Sequence, residues 1–370
     1  MTACIFHQMM GHIRPITKER KGGIMLYLRQ ARPYRKKHTN LAVLMVSAIF
    51  LAGALFTAFY RHPADRETTA AVQENAPHPV VLADIPITLP DSIQKGLPAG
   101  FSLKKVVPTE AELWAGKMFL IDEDHPVPER AAPPNTLSIA AEGEGQIAVR
   151  TPRPNTDLEV INALKNMFSM ARSQGVKSWL VWEGSRSYGQ QLELQLERLK
   201  QHAQTMMLTE AAKLAAKEVP APGYSEHQLP FVVDIRLAAG WNAVPANAPL
   251  SESADGKLLL DSAWKYGFIH RYGTKTAPPY EDEAYHFRYV GVAHSIIMHA
   301  LNVDFPRYLA FLREEGAVTY YEGGVPRYAI FCKQAEGGLS FSIPEGCLWE
   351  ASMDNTGYAV LAVTFPKTEE

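Results

Sequence analysis

Apolar and polar positions alternate in three different ways along this chain. From Leu41 to Tyr60, "LAVLMVSAIFLAGALFTAFY", no charged residue occurs at all. At about 1.5 Å per residue, a helix of that length crosses a hydrocarbon layer of roughly 30 Å. The pattern predicts a transmembrane helix over 41–60, because a buried core helix is rarely apolar all round for so long. Residues 61–85 are rich in Pro, Ala, Glu and Thr without an apolar period, and read as a linker.

From about residue 86 the pattern becomes that of a folded domain. Leu158, Ile161, Leu164, Phe168 and Ala171 fall at helical spacing, with Thr156 or Asp157 available as a cap and Gly175 as a stop. "SWLVWEG" (178–184) and "PFVVDIR" (230–236) read as strands, and "AYHFRYVGV" (284–292) as a third. Residues 188–217 are dominated by good helix formers. "DSAWKYGFIHRYG" (261–273) reads as a helix running into a strand, and "AHSIIMHALN" as a helix. "GKMFLIDEDHPVP" (116–128) reads as a short strand and a turn. After about residue 316, short β-like runs alternate with Gly, Pro and Asn turns, predicting a small all-β C-terminal appendage. Helices mixed with an antiparallel sheet make the whole an α+β fold.

Charge refines this picture. Lys and Arg total 37 against 39 Asp and Glu, so nothing selects nucleic acid as a partner. Arg29, Arg32, Arg35, Lys36 and Lys37 precede the apolar span, whereas the stretch after it mixes Arg61 and Arg66 with Asp65 and Glu67. The positive-inside rule then predicts a cytoplasmic tail (1–40), the span (41–60), the linker (61–85) and two extracytoplasmic segments, 86–315 and 316–370. A cleaved signal peptide is the rival, but its apolar region is usually shorter and a small-x-small cleavage site is wanting. In an oxidising compartment Cys332 and Cys347 can bridge, or both can remain buried thiols.

Candidate chemistry centres on "GYSEHQLPFVVDI" (223–235). His227 and Asp234 flank Pro230, and His286 lies on another predicted strand. Two imidazoles and a carboxylate would make a catalytic zinc site with one position open to water. Glu283 lies three residues before His286, placed to work on that water. A loop histidine and an unrelated strand-end acid is the competing reading, since 12 histidines and 39 acids make such triples common. His270, His294 and His299 read as surface or satisfied core residues, and Trp179 and Trp182 as packing residues. "GEGQ" (143–146) lacks the strand–glycine–helix setting of a phosphate loop and reads as a turn.

Several separated motifs, in one order, add a resemblance. "PGYSEHQLPFVVDI" is similar to the S-x-H-x-x-G-x-A-x-D signature of VanY-type D-alanyl-D-alanine carboxypeptidases, zinc peptidases that share a fold with hedgehog signalling domains. "SRSYGQQ" (185–191) resembles the family's Y-R-S-x-x-x-Q, "WKYGFIHRY" (264–272) its Y-G-F-I-x-R-Y, and "EAYHFRYVG" (283–291) its E-x-W-H-x-R-Y-V-G. The similarity covers roughly residues 115–300. It implies a hedgehog/D-Ala-D-Ala-peptidase-like domain with a central antiparallel sheet, and a Zn2+ cofactor held by His227, Asp234 and His286. It further implies Glu283 as general base, Arg186 directed at the substrate carbonyl, and Ser225 and Gln191 near bound substrate. The expected substrate is a peptidoglycan stem peptide, met outside a membrane to which the chain is anchored. A non-catalytic cell-wall-binding protein, or a D,D-dipeptidase or endopeptidase of the same fold, are the alternatives. There are four departures from the family pattern: Leu229-Pro230 stands for Thr-Gly, Tyr285 for tryptophan, Ser185 for tyrosine and Val232 for alanine. Proline fixes φ near −65° and has no N–H, so Pro230 is expected to alter the loop between two ligands.

Overall fold

Strand alternation organises the half of the molecule that carries the candidate site. The computed structural model describes residues 87–367 except 132–134, 151–153, 239–248 and 273–283. The tail 1–40, the apolar span 41–60, the linker 61–85 and Glu283 lie outside the described residues. Among the described residues no helix is long and apolar enough to cross a membrane.

Four antiparallel strands form the central sheet in the order β5 (Trp179–Glu183), β6 (Val232–Leu237), β8 (His286–Tyr289) and β7 (Phe268–His270). Residues i and i+2 share a face. Val233, Ile235 and Phe287 therefore enter the main apolar core, while Asp234, His286 and Arg288 share the opposite face. The helix Leu158–Ser173 brings Val160, Ile161, Leu164, Met167, Phe168 and Ala171 to the same core. Asp157 caps it by accepting from the Glu159 amide at 2.7 Å, and Gly175 follows its end at a φ of 84°. Phe168 meets Trp179 edge to face at 5.7 Å.

The C-terminal β-like runs form strands, in a sheet shared with residues from the other end of the folded region. Its order is β1 (Ile93–Lys95), β9 (Ala317–Glu322), β10 (Val325–Gln334), β13 (Tyr358–Thr364), β12 (Leu348–Met353). Beside it β11 (Phe341–Pro344) pairs with β2 (Leu103–Val106). A minor pair, β3 (Leu137–Ser138) with β4 (Asn155–Thr156), precedes the long helix. The helices Val292–Leu301 and Phe305–Glu315 bury Ile297, Met298, Phe305, Tyr308 and Leu312 in a second core with Val318, Ile330 and Val360.

Three elements differ from the sequence reading. Residues 188–217 hold two helices, Tyr188–His202 and Leu208–Glu218, packed on each other, with Glu218 meeting Arg198 at 3.2 Å and His202 at 2.9 Å. Uniform helix propensity hides such a break, because closing a helical pair is a tertiary demand. Residues 116–121 are not a ladder strand. Their polar groups are met singly: the Met118 amide donates to Ser352 Oγ at 3.0 Å and the Leu120 amide to the Asp354 carbonyl at 3.0 Å. The helix Phe305–Glu315 went unread, although Asp304 caps it and Pro306 sits in its first turn. Cys332 and Cys347 are free, buried thiols. They sit in different apolar cores.

His294 and His299 have the structural roles expected of them. His299 stacks on Trp264 at 3.9 Å. His294 Nδ1 lies 2.9 Å from the buried Tyr308 hydroxyl and shares a hydrogen bond with it. Burial first, and the charge of Lys117 second, hold the His294 pKa down to about 3. In the unfolded chain the ring titrates at its ordinary value of 6.5, so this group's stabilising contribution is complete above that pH. It is lost as pH falls toward 3, by up to about 1.4 kcal/mol per pH unit. Urea unfolding of a His294→Gln variant, which keeps a hydrogen-bonding group for Tyr308, is expected to show a shallower loss of stability between pH 6.5 and 4 than the parent chain. Parallel curves would exclude His294 as the source.

Candidate metal centre

Two of the three expected donors are placed by strand register. Asp234 on β6 lies directly opposite His286 on β8, and opposed residues on one face of an antiparallel pair carry side chains about 5 Å apart. The third donor rides on the 3-10 turn Glu226–Gln228, just before β6. That turn is tied down by the Gln228 side chain, which accepts from the Gly223 amide at 2.5 Å.

Each histidine spends one ring nitrogen on the protein and turns the other inward. His227 Nδ1 donates to the Gly184 carbonyl at 2.8 Å, leaving Nε2 at 3.3 Å from Asp234 Oδ1. His286 Nε2 lies 3.1 Å from Glu226 Oε2, leaving Nδ1 at 3.3 Å from the same Asp234 oxygen. The two rings are 4.8 Å apart and steeply inclined. One ligand atom from each of His227, Asp234 and His286 lies within 4.8 Å of the others, and all three residues are buried.

Asp234 Oδ1 and His286 Nδ1 are buried without a hydrogen-bond partner. Leaving such atoms unsatisfied costs about 1–3 kcal/mol each, more where charge is involved. A cation between the three donors removes that cost, and a nitrogen–oxygen–nitrogen set of neutral imidazoles and a carboxylate suits a divalent transition metal such as zinc. The residues present therefore fit the implied metal. Burial alone would raise the Asp234 pKa, but His227 and His286 hold it well below the usual carboxylate range. Burial alone would lower that of His286, but Asp234 and Glu226 push it up to about 9.

Glu226 is the site residue that sequence reasoning missed. Burial would raise its pKa, and the Arg288 and Arg271 guanidiniums, with His286, hold it far below normal instead. Its Oε1 accepts from Arg271 Nε at 3.0 Å and faces Arg288 Nη1 at 2.9 Å. The available signal was parity: His286 and Arg288 are two apart on one strand and so share a face.

The remaining expected residues lie around this centre. Ser187 and Gln190 form a capping box at the head of the helix Tyr188–His202, which fixes Arg186 just before it. The Arg186 amide donates to the His227 carbonyl at 2.6 Å. Its guanidinium donates to Gln191 Oε1 at 2.7 Å, and Glu183 Oε1 lies 3.4 Å from its Nε. Gln191 is wholly buried, and its amide nitrogen donates to the Pro220 carbonyl at 2.7 Å, so it orients Arg186. Ser225 is buried at the start of the His227 turn and makes no side-chain capping bond there. Tyr285 holds the Arg236 guanidinium at 4.6 Å over its ring, and Ser185 donates to the Leu229 carbonyl at 3.1 Å. His270 is satisfied by the Ala284 carbonyl at 2.8 Å.

A groove of about 870 Å³ adjoins the centre, lined by Arg150, Trp182, Gly184, Arg186, Tyr188 and Glu193 among others. Trp182 sits at a bulge between Val181 and Glu183. It is half buried and carries Arg150 over its ring at 4.5 Å. Trp179 packs into the apolar core, and Trp182 packs against Arg150 and Arg236 at the edge of the groove.

Residues 154–292 match the family model for VanY, D-alanyl-D-alanine carboxypeptidase. That segment of the chain is similar to a VanY-type domain. A D-alanyl-D-alanine carboxypeptidase of Enterococcus faecium is 24% identical over 262 residues, 70% of this chain and 78% of that protein. A putative carboxypeptidase of Bacillus subtilis, YodJ, is 36% identical over 135 residues, 36% of this chain and 45% of its own length. Among solved structures, the vancomycin resistance D,D-dipeptidase VanXYg superimposes with a TM-score of 0.56 at 20% identity, covering 71% of this chain and all of that one. This likeness supports the fold, mixed helix and antiparallel sheet. The matched segment contains all three donors, Arg186, Gln191 and Ser225.

The full chain, stripped and then reloaded with zinc, is expected to keep about one ion per molecule through gel filtration. His227→Ala and Asp234→Asn should each weaken zinc binding by more than the roughly 10–100-fold typical of losing an outer partner of a ligand. Unchanged affinity in a folded variant would remove that residue from the ligand set.

Proposed function

We propose that this protein is a zinc-dependent D,D-carboxypeptidase that removes the terminal D-alanine from peptidoglycan stem peptides ending in D-Ala-D-Ala. The observation that carries the proposal is the convergence of His227 Nε2, Asp234 Oδ1 and His286 Nδ1 inside a VanY-type segment.

When bound, zinc supplies Lewis acidity that polarises a carbonyl and acidifies a water molecule. The protein's own groups do the rest. Glu283 takes the proton of the attacking water and returns it to the amine of the departing D-alanine. Arg186 donates to the carbonyl oxygen as negative charge grows on it; a fixed donor of this kind contributes about 3–4 kcal/mol to lowering the barrier. Gln191 and Glu183 hold that guanidinium in place before substrate arrives, which spares reorganisation during the reaction.

The groove along Trp182, Arg150 and Tyr188 has room for more of a peptide than its last two residues. It favours a carboxypeptidase acting on a longer stem over an enzyme restricted to the free dipeptide. The charge asymmetry around residues 41–60 supports a single-pass anchor with the catalytic residues outside the cytoplasm, where such stems occur. Protease added to intact spheroplasts should then digest residues beyond 60; protection of them would overturn the orientation.

Incubated with a D-Ala-D-Ala-ending pentapeptide, the zinc-loaded chain should release D-alanine and stop on chelation. Its kcat/KM should exceed that for free D-Ala-D-Ala by about tenfold or more, the scale of a pocket contact worth about 1.4 kcal/mol. Preference for the dipeptide would point to the dipeptidase reading. Glu283→Gln should keep its zinc and lose about 10²–10⁴-fold in kcat. A zinc-replete parent chain without turnover would favour the non-catalytic, wall-binding alternative.

A further inference from the structure

We infer that Glu226 is the positioning residue that selects which nitrogen His286 offers to the metal. The inference rests on the reading of His227, Asp234 and His286 as metal ligands. An imidazole carries one proton when neutral, and the group that accepts that proton decides which nitrogen keeps a free lone pair. Glu226 Oε2 lies 3.1 Å from His286 Nε2. The proton is therefore held at Nε2, and the lone pair is left on Nδ1, the nitrogen 3.3 Å from Asp234 Oδ1.

Glu226 can do this because it cannot turn away. Its other oxygen is gripped by Arg271 Nε at 3.0 Å and Arg288 Nη1 at 2.9 Å. Its side chain is 1% exposed. Arg288 is anchored in turn, donating from Nη2 to the carbonyls of Lys117 at 2.6 Å and Phe119 at 3.1 Å. The two histidines thus differ in their outer partners. His227 donates to a neutral backbone carbonyl, whereas His286 donates to a clamped carboxylate. A charge-assisted bond is roughly twice as strong as a neutral one, and a carboxylate partner raises the basicity of the ligating nitrogen. His286 is by this account the more tightly oriented and stronger donor of the pair. Glu226 is a positioning residue that acts through His286.

Glu226→Gln in the full chain keeps the size of the side chain and removes its charge. Zinc affinity, read by competition with a chromophoric chelator, is expected to fall about 10–100-fold. The visible absorption of the cobalt-substituted site should shift as well. A lower unfolding midpoint with unchanged zinc affinity and an unchanged cobalt spectrum would overturn the inference, leaving Glu226 as a counter-charge for two buried arginines. Should the variant fail to fold, the parent chain decides: long-range ¹H–¹⁵N spectra of the zinc-loaded protein must show His286 protonated at Nε2, and protonation at Nδ1 would overturn it. A parent chain that takes up no zinc removes the ligand reading itself, and this inference with it. A parent that binds zinc as well as a folded Glu226→Gln variant does removes only the role of Glu226.

Discussion

The register that sets Asp234 against His286 is the constraint on which the site depends. A slip of β6 by one residue would carry Asp234 to the other face of the sheet, away from His286. It would also send Val233 and Ile235 out of the core, and each such side chain contributes about 1.5–3 kcal/mol by its burial. The apolar face therefore holds the polar face in place. The strands carrying Asp234 and His286 are held by apolar side chains on their opposite face, which allows the polar side of the sheet to carry charges that would not otherwise be tolerated inside a protein. Their cost is met locally: Glu226 against two guanidiniums, and Asp234 against two imidazoles with a place for a cation.

Those guanidiniums extend the site into the second sheet. Arg288 reaches past Glu226 to the backbone of Lys117 and Phe119. That short segment is fastened on its far side to Ser352 and Asp354, and Asn355 adds a bond to the Leu120 carbonyl at 3.0 Å. The approach is close enough that a Cβ on Gly116 would stand 2.0 Å from Ser352 Oγ, so glycine is required there. Strands that carry no readable motif thus brace the segment on which Arg288 leans. The pairing of β1 with β9 and β2 with β11 draws residues 93–106 into the same bracing layer.

Much of the centre was legible because strand periodicity and motif order are local properties. His286 and Asp234 fell on predicted strands, and the helix Leu158–Ser173 announced both its ends through Asp157 and Gly175. The illegible parts are those where long-range geometry overrides local preference. Residues 203–207 interrupt two helices without any glycine or proline. Residues 116–121 look like a strand and are held by single bonds from distant side chains. Glu226 sat in plain view beside His227, yet its importance arises from Arg271 and Arg288, 45 and 62 positions further on. Trp182 could not be told from Trp179 until the bulge at Val181 turned it toward the groove.

Pro230 is the departure from the family pattern that most threatened the centre, since it lies between two donors and brings no N–H. Its consequences depend on which backbone groups the loop uses as anchors. They are carbonyls. The Pro230 carbonyl accepts from Thr156 Oγ1 at 2.8 Å and from the Asp157 amide at 3.0 Å, and the Leu229 carbonyl accepts from Ser185. The Phe231 carbonyl accepts from the Tyr289 amide at 2.7 Å. None of these bonds needs a donor at position 230, and Pro230 is not among the residues of positive φ. The loop therefore loses nothing that proline cannot give, and the fixed φ narrows the unfolded chain's freedom at a point where the folded path already suits it. Two of the four departures, Ser185 and Pro230, join the same set of anchors. They tie the Arg186 segment, the capped helix start at Thr156 and Asp157, and the His227 loop to one another. A substitution at one of them changes how the anchors are made, and the three donors still meet.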